Sequence, residues 1–262
     1  MCSSDLSKIF LGLSGGIDSA VVLCIAAEIF NKKNINAIMM PTKYTSKESL
    51  RDAKKLAQNL SVNYSVKKID SLINKLNNFF NEDFKNLKED ITEENLQARA
   101  RGIILMAYAN KFNGIVLTTS NKSEVAVGYA TVYGDMVGGF SVLKDVPKTM
   151  VYQLANFINQ KKEIIPQNII SRAPTAELKF NQTDQDSLPS YDILDNIIDL
   201  VIEQNLTSKD IIKLGYDAHV VKKVVKSIHA NEFKRRQAAP GPKITFKAFG
   251  KDRRYPITNN FK

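Results

Sequence analysis

A glycine-rich turn near the start of the chain decides the fold: Gly12-Leu-Ser-Gly-Gly-Ile-Asp-Ser19. The apolar residues 8–13 that lead into it predict a buried strand, and the apolar residues 19–30 that follow predict a helix. Adjacent glycines let the backbone adopt a positive φ and approach a ligand closely. The N-terminus of the following helix adds free N–H groups and the positive end of a dipole. The turn, with the hydroxyls of Ser14 and Ser19, is therefore predicted to bind phosphate.

The acidic residue of this turn points to a metal ion. Asp18 stands where the G-x-x-x-x-G-K-[ST] phosphate loop carries its lysine. A bare carboxylate would repel phosphates, so we predict a bridging Mg²⁺. The residues leave one alternative open, a tight strand-to-helix turn in which Asp18 or Ser19 is an ordinary N-cap.

The rest of the first two thirds alternates short apolar runs with amphipathic stretches, which predicts a βαβαβ order. Such an order builds an α/β fold of the Rossmann-like class, a doubly wound parallel sheet with flanking helices, whose ligands bind at the carboxyl ends of the strands. Residues 74–90 are polar and non-periodic and predict a loop or a ragged helix. Further strands are predicted over residues 35–40, 62–69 and 115–119, and helices over residues 46–60 and 92–112.

The last third is predicted to be mainly helical. We expect one domain over residues 1–262, with a nucleotide-binding α/β core over 1–145 and a helical part with a basic tail over 146–262. Two apolar stripes at helical spacing support buried helices there. The helices are predicted over residues 147–160, 188–203, 207–214 and 217–233.

Composition excludes a disordered or fibrous protein. With 262 residues, 44% apolar and 24% charged, the chain has the make-up of a soluble globular protein. The net charge is +10, but residues 234–262 hold nine basic residues and one acidic residue, so this segment carries +8 and the other residues about +2. This distribution favours a small polyanion or an acidic partner surface, and we expect no nucleic-acid partner.

Cysteine usage and apolar runs indicate the compartment. Cys2 and Cys24 form no disulfide framework. The longest apolar runs are well short of the roughly 20 residues of a membrane span, so no membrane partner is expected. These features predict a reducing, cytoplasmic location.

Several segments carry a family resemblance. The glycine-rich turn is similar to the pyrophosphate loop of the N-type ATP pyrophosphatases, whose members cleave ATP between the α and β phosphates. The segments over 95–102, 117–124, 133–136, 173–178 and 182–189 together resemble the NAD synthetases. Residues 233–237 and 248–254 resemble the ammonia-using synthetase domain of the glutamine-dependent members. The likeness covers nearly the whole chain.

The resemblance implies a fold like that of the adenine nucleotide alpha hydrolases and a ligase that forms a C–N bond. Its reaction would convert ATP, deamido-NAD and ammonia to NAD, AMP and pyrophosphate. An acyl adenylate makes chemical sense here, because a free carboxylate lacks a leaving group and AMP is one. The resemblance also implies a homodimer with deamido-NAD bound near the subunit interface.

Site roles follow from the resemblance by matched position. The catalytic candidates are Lys148, on the triphosphate or the transition-state charge, and Asp135, which would take a proton from ammonium; Asp135 could also be a plain turn residue. The Mg²⁺ ligands would be Asp18 and Glu124. The deamido-NAD contacts would be Asn95, Arg99, Glu124 and Lys234. The ATP contacts would be Gly12, Leu13, Ser14, Gly15, Gly16, Ile17, Asp18, Ser19, Thr119 and Lys148.

Two departures from the family pattern shape the expectations. Few residues precede the first strand, so we expect no amidase domain in this chain and predict free ammonia as the nitrogen donor, with an amidase domain or subunit elsewhere left open. Val132 stands where ammonia-dependent members usually have a lysine, whose role is not carried over. Residues 177–187 have the composition of a mobile surface loop that closes over the adenylate.

Two other functions are weighed. A tRNA-modifying adenylating enzyme shares the pyrophosphate loop, but it would need an appended RNA-binding domain or a reactive cysteine pair. A non-catalytic nucleotide-binding subunit would bind ATP without releasing pyrophosphate. Asp18 and Glu124 together favour an enzyme.

Overall fold

A parallel β-sheet forms the centre of the computed structural model, which describes residues 8–258. The five strands within that range lie in the order β3-β2-β1-β4-β5, and every pair is parallel. Because β1 pairs with both β2 and β4, the chain reverses direction across the sheet at β1, and the crevice beyond the carboxyl ends of β1 and β4 is a natural ligand site. The strands are β1 (Lys8–Gly12), β2 (Ile35–Met39), β3 (Asn63–Val66), β4 (Gly114–Thr118) and β5 (Phe140–Ser141).

Helices cover the sheet, and six of the eleven α-helices in the described residues lie after β5. This confirms the predicted doubly wound α/β class. The helices are α1 (Ile17–Ile29), α2 (Lys47–Leu60), α3 (Asp70–Phe80), α4 (Ile91–Lys111), α5 (Lys122–Val127), α6 (Lys148–Ile158), α7 (Gln167–Ser171), α8 (Tyr191–Ile202), α9 (Ser208–Lys213), α10 (Ala218–Ala230) and α11 (Glu232–Gln237).

The structure decides one open prediction and contradicts another. Of the two alternatives for residues 74–90, a loop or a ragged helix, residues 74–80 are helical and continue α3; Ile73 packs against the cluster that contains buried Ile69, so an apolar anchor supports this polar helix. The helix predicted over 217–233 breaks at Asn231, whose side-chain amide donates to the carbonyls of Val127 and Ser227, each at 2.8 Å. The short elements α5, α7 and β5 were not predicted.

Apolar residues pack against both faces of the sheet. On one face Leu11, Val22, Leu56 and Val151 join a core to which β1, α1, α2 and α6 contribute. On the other face a smaller cluster centres on Phe10, with residues from α4. A third hydrophobic cluster is formed by residues of the helices α5, α8, α9 and α10. The helices α6 and α7, which follow residue 145, pack into the same cluster as the sheet.

A buried charge network ties the C-terminal segment to α5. The Lys122 ammonium lies 3.0 Å from Asp145, 2.8 Å from Glu203 and 2.5 Å from the Thr245 hydroxyl. Asp145 also accepts from the Thr245 backbone N–H, and Glu203 accepts from that of Lys247, at 2.7 and 2.8 Å. We call these five residues the Lys122 network; through it, residues 245–247 are fastened beside the helix that carries Glu124.

Two expectations from composition concern the cysteines and the membrane. Cys24 is a buried free thiol, and burial raises its pKa to about 12, which makes it unreactive at neutral pH. Cys2 lies outside the described residues. Within residues 8–258, no helix combines the length and the apolar character that a membrane crossing requires.

Candidate active site

A cavity of about 1020 Å³ opens at the carboxyl ends of β1 and β4. Its size is at the upper end of the roughly 300–1,000 Å³ of small-molecule sites. The glycine-rich turn, Thr119, the inner face of α4, and parts of the segments 128–135 and 174–187 line it. The structure thus brings all of the predicted site residues except Gly15, which does not line the cavity, from distant parts of the chain into one place. The predicted residues that line it are Gly12, Leu13, Ser14, Gly16, Ile17, Asp18, Ser19, Asn95, Arg99, Thr119, Glu124, Asp135, Lys148 and Lys234.

The glycine-rich turn is held in a conformation that only glycine fits. Gly15 has φ +83°, and a Cβ built there would lie 2.6 Å from the carbonyl oxygen of Ser49. Arg172 donates to the Gly15 carbonyl at 2.8 Å. Gly16 is the N-cap of α1, so the alternative in which Asp18 or Ser19 serves as N-cap is wrong. Because glycine brings no capping side chain, the first N–H groups of α1 face the cavity as an anion site.

Lys148 joins two acidic side chains at the end of this turn. Its ammonium lies 2.5 Å from Asp18 Oδ2 and 3.4 Å from Glu124 Oε1, and 5.0 Å from the ring centroid of Tyr191. The Lys148 side chain is 2% exposed. Burial alone would lower the pKa of Lys148, but the charges of Asp18 and Glu124 outweigh it, so its pKa is raised and the ammonium persists. Asn121 steadies Asp18 by donating to its Oδ1 at 2.9 Å.

Glu124 is the residue of this cluster whose ionised form is disfavoured. Burial first, and the nearby Asp18 charge second, raise the pKa of Glu124 to about 8, although Lys148 acts against them. Two carboxyl groups share one ammonium, so ionisation of both would leave the cluster with an excess of negative charge. Across residues 8–258, no three His, Cys, Asp or Glu side chains gather as a metal site. Two carboxylates beside a phosphate site nevertheless fit Mg²⁺, which commonly takes its other ligands from substrate phosphates and water.

Two of the predicted deamido-NAD residues, Asn95 and Arg99, lie on α4 and contact the segment 128–135. Asn95 accepts from the Thr131 hydroxyl at 2.7 Å, and Arg99 donates to the Val132 carbonyl at 3.3 Å. Asp135 accepts from the Thr131 backbone N–H at 2.6 Å, a contact that a plain turn residue would also make. Its side chain is exposed to the cavity, yet the surrounding protein desolvates the carboxyl and raises its pKa.

Lys234 reaches the same part of the cavity from α11. Its ammonium donates to the carbonyls of Gly128 and Ala130, at 2.7 and 2.8 Å. Burial lowers the pKa of Lys234, and Asp135 partly offsets this. Lys234 therefore shapes the wall of the cavity, and its contact with a substrate remains a prediction.

Four residues that sequence reasoning missed also build the site. Asp184 is 4% exposed and accepts from the hydroxyls of Tyr191 and Tyr129, at 2.7 and 3.3 Å, so the surface position expected for Asp184 is wrong. The fourth, Asn121, caps α5 together with Glu124. The spacing Asn-x-x-Glu is a capping-box signal that could have revealed α5. Asp184 sits in a polar segment without periodicity and gives no such signal.

Comparison with known proteins identifies the family. The family model described as NAD synthase matches residues 2–238 of this chain. The chain belongs to the NAD synthase family. This confirms the resemblance drawn from the sequence motifs and favours it over the tRNA-modifying alternative.

Curated members of the NAD synthase family are similar over the whole chain. The glutamine-dependent NAD(+) synthetase of Acinetobacter baylyi is 50% identical over 99% of this chain and 48% of its own length. That of Thermotoga maritima is 51% identical over 99% of this chain and 45% of its own length. The chain thus spans about half the length of these relatives.

Solved structures of the NAD synthase family share the architecture. The glutamine-dependent NAD⁺ synthetase of Acinetobacter baumannii, solved with ADP, has a TM-score of 0.64 at 47% identity and covers 98% of this chain and 46% of its own. The NH3-dependent NAD synthetase of Campylobacter jejuni has a TM-score of 0.70 at 28% identity, and the match covers 92% of this chain and 90% of that protein. The NMN synthetase of Francisella tularensis has a TM-score of 0.74 at 26% identity, and the match covers 92% of this chain and 91% of that protein.

Proposed function

We propose that this chain amidates deamido-NAD to NAD at the expense of ATP, with ammonia as the nitrogen donor. The observation that carries the proposal is the buried Lys148 ammonium, held between Asp18 and Glu124 at the N-terminus of α1. Membership of the NAD synthase family supports the substrates. The match to the NH3-dependent NAD synthetase of Campylobacter jejuni covers 90% of that protein, which supports ammonia as the donor. Homodimerisation and a cytoplasmic location stay predictions from the sequence.

In the first step, the deamido-NAD carboxylate attacks the α-phosphorus of ATP, and the bond to the β-phosphate oxygen breaks. The products are an acyl adenylate and pyrophosphate. The free N–H groups of α1 and the hydroxyl of Ser14 would hold the leaving pyrophosphate. Lys148 would stabilise the charge that develops on the phosphates, in a site whose burial strengthens the interaction.

Asp18 and Glu124 would hold Mg²⁺ beside these phosphates. When bound, the ion neutralises phosphate charge and so lets a carboxylate approach. It would also offset the burial and the Asp18 charge that together raise the pKa of Glu124.

In the second step, ammonia attacks the acyl carbon, AMP leaves with the bonding electrons, and the attacking nitrogen releases one proton to water, which gives the amide of NAD. Ammonium must first lose a proton, because only the free base is a nucleophile. Asp135 faces the cavity, and its raised pKa makes its carboxylate a stronger base for that proton. Asn95 and Arg99 would orient the dinucleotide from α4.

The test measures pyrophosphate release and NAD formation by the purified chain with ATP, Mg²⁺ and deamido-NAD. We expect turnover with ammonium and none with glutamine. A parallel reaction with nicotinate mononucleotide addresses the similarity to an NMN synthetase, and we expect slower turnover there. Equal rates with glutamine would contradict the ammonia proposal. ATP binding without pyrophosphate release would instead identify a non-catalytic subunit.

A matched pair of variants ties the activity to the site. Asp18→Asn removes one carboxylate from the cluster, whereas Asp83→Asn removes one from an exposed turn. We expect Asp18→Asn to lose turnover by about 10²–10³-fold, as for loss of a transition-state contact, and Asp83→Asn to match the wild type. Equal activity of the two variants would show that the chemistry lies elsewhere.

A further inference from the structure

Asp195 lies outside the cavity lining but contacts the helix that carries Lys148. It projects from α8, and its Oδ2 accepts from both the backbone N–H and the hydroxyl of Thr149, each at 2.8 Å. Its Oδ1 accepts a short hydrogen bond from the Ser123 hydroxyl. Ser123 Oγ in turn accepts from the Lys148 backbone N–H at 2.8 Å. One carboxylate and one hydroxyl thus receive the first two N–H groups of α6.

The N-terminus of α6 needs such partners from other helices. The first N–H groups of a helix have no intrahelical acceptor. The N-cap of α6 is Pro147, whose side chain cannot accept a hydrogen bond, and the first helical residue is the cationic Lys148, which opposes the helix dipole. An acidic side chain at this end reverses that unfavourable charge pattern. Asp195 therefore caps α6 from α8, with Ser123 of α5 between them.

We propose that Asp195 is a positioning residue for Lys148: by capping α6 across helices, it fixes the backbone from which the Lys148 ammonium reaches Asp18 and Glu124. The same contacts reach α5 through Ser123, next to Glu124, whereas Lys122 of α5 is anchored separately by the Lys122 network. One half-buried carboxylate thus fixes the position of the lysine relative to one of its two acidic partners. The effect on turnover rests on the function proposed above, whereas the effect on Lys148 itself does not.

The first test reads the Lys148 side chain directly. Folded variants are labelled briefly with an amine-acetylating reagent, and the extent of modification at each lysine is read by mass spectrometry. Lys148 and Lys122 are both buried, with side chains 2% and 3% exposed, so Lys122 is an internal reference. In Asp195→Ala we expect Lys148 labelling to rise several-fold while Lys122 labelling stays unchanged.

Two matched variants complete this test. Asp195→Asn keeps an acceptor for Thr149 and can donate to Ser123, so it should restore the protection of Lys148. Asp192→Ala removes an exposed carboxylate three residues earlier on α8 and should behave as the wild type. Unchanged Lys148 labelling in folded Asp195→Ala would overturn the proposal. An equal rise at Lys122 and Lys148 would also overturn it, because it would indicate general loosening.

The second test uses turnover. We expect Asp195→Ala to lower kcat by about 10- to 100-fold, a typical effect of removing a partner that orients a functional side chain, and Asp195→Asn to stay within a few fold. Because Ser123 and Asp195 act through one helix end, Ser123→Ala with Asp195→Ala should be little worse than Asp195→Ala alone. If the two substitutions multiplied their separate effects on kcat, Ser123 and Asp195 would not act through the same helix end. If the wild type makes no NAD, the proposed function fails while the labelling result still decides the role of Asp195.

Discussion

At the scale of single residues, the environment of Glu124 links the charge cluster to pH. Its carboxyl is buried and lies near the Asp18 carboxylate. Burial is the larger cause of its raised pKa, and the Asp18 charge is the second. Lys148 opposes the shift but is shared with Asp18. In the absence of metal and nucleotide, Glu124 therefore keeps its proton near neutral pH.

This raised pKa predicts a pH-dependent stability. Between about pH 4.5 and pH 8 the folded chain retains a proton on Glu124 that the unfolded chain releases. The folded state then binds more protons, so the free energy of unfolding falls as pH rises through this window and levels off above it. Glu124→Gln lacks this titration. Urea unfolding in a chelator should thus show the variant gaining stability over the wild type as pH rises towards 8.

The comparison has a clear negative outcome. If the wild type and Glu124→Gln have the same pH slope from about pH 5 to pH 8, Glu124 ionises normally and the charge cluster is not crowded. Both proteins carry all other titratable groups in common, so each serves as the control for the other.

At the scale of elements, the phosphate site depends on how closely the glycine-rich turn approaches α2. A Cβ on Gly15 would lie 2.6 Å from the Ser49 carbonyl oxygen and 2.9 Å from Ser49 Cα. Ser49 belongs to the first turn of α2 and also donates to Glu177 at 2.7 Å. The turn, α2 and the segment after α7 therefore hold one another in place.

Gly15→Ala should break this packing, and Gly215→Ala is its matched control. Both glycines have a positive φ, +83° and +96°. Each alanine costs about 1–2 kcal/mol for the left-handed backbone. Among the described residues, no atom lies within 4 Å of a Cβ on Gly215, so that variant carries the backbone cost alone. Calorimetry and urea unfolding should show that Gly15→Ala also loses ATP affinity and further stability; equal losses in the two variants would refute the close approach.

Elements with a clear hydrophobic period were predictable, and those held by tertiary contacts were not. The strands and helices around the glycine-rich turn follow from apolar runs and from that turn itself. For residues 74–80 the sequence left a loop and a ragged helix open, because the polar residues of α3 hide a small apolar anchor at Ile73. The break before α11 depends on Asn231 reaching Val127, about a hundred residues away, which no local pattern reveals.

The candidate site was predictable where a motif carried it. The motifs supplied Asp18, Glu124 and Lys148, and the structure places these three in contact. Asp184 lies in a polar segment that looks like ordinary surface, and Asp195 lies next to the apolar stripe of α8, where no local pattern marks it. Asp184 is buried and Asp195 is half-buried because of partners elsewhere in the chain, and the sequence does not reveal such contacts.

At the scale of the whole molecule, the Lys122 network joins the end of the described chain to the site. Lys122 and Asp145 have side chains only 3% exposed. Charged groups are buried at a high desolvation cost, so each depends on its partners. The network therefore holds the C-terminal segment against α5 more firmly than a surface ion pair would.

Lys122→Met should be strongly destabilising. It leaves Asp145 and Glu203 without their cation, and removing one partner of a buried pair costs roughly 3–5 kcal/mol. Lys55→Met is the control, because Lys55 and Glu163 form a pair whose side chains are 54% and 49% exposed and which contributes about 0–1 kcal/mol. Urea unfolding measures both; similar losses would show that the network is not a buried ionic anchor.

The same network has a consequence for synthesis of the protein. Ribosomes add Thr245 and Lys247 after its other three members. Until these residues emerge, the nascent chain cannot assemble the ionic contacts beside α5, and the helix bearing Glu124 lacks its final support. The support of α5 is therefore complete only once residue 247 has been synthesised.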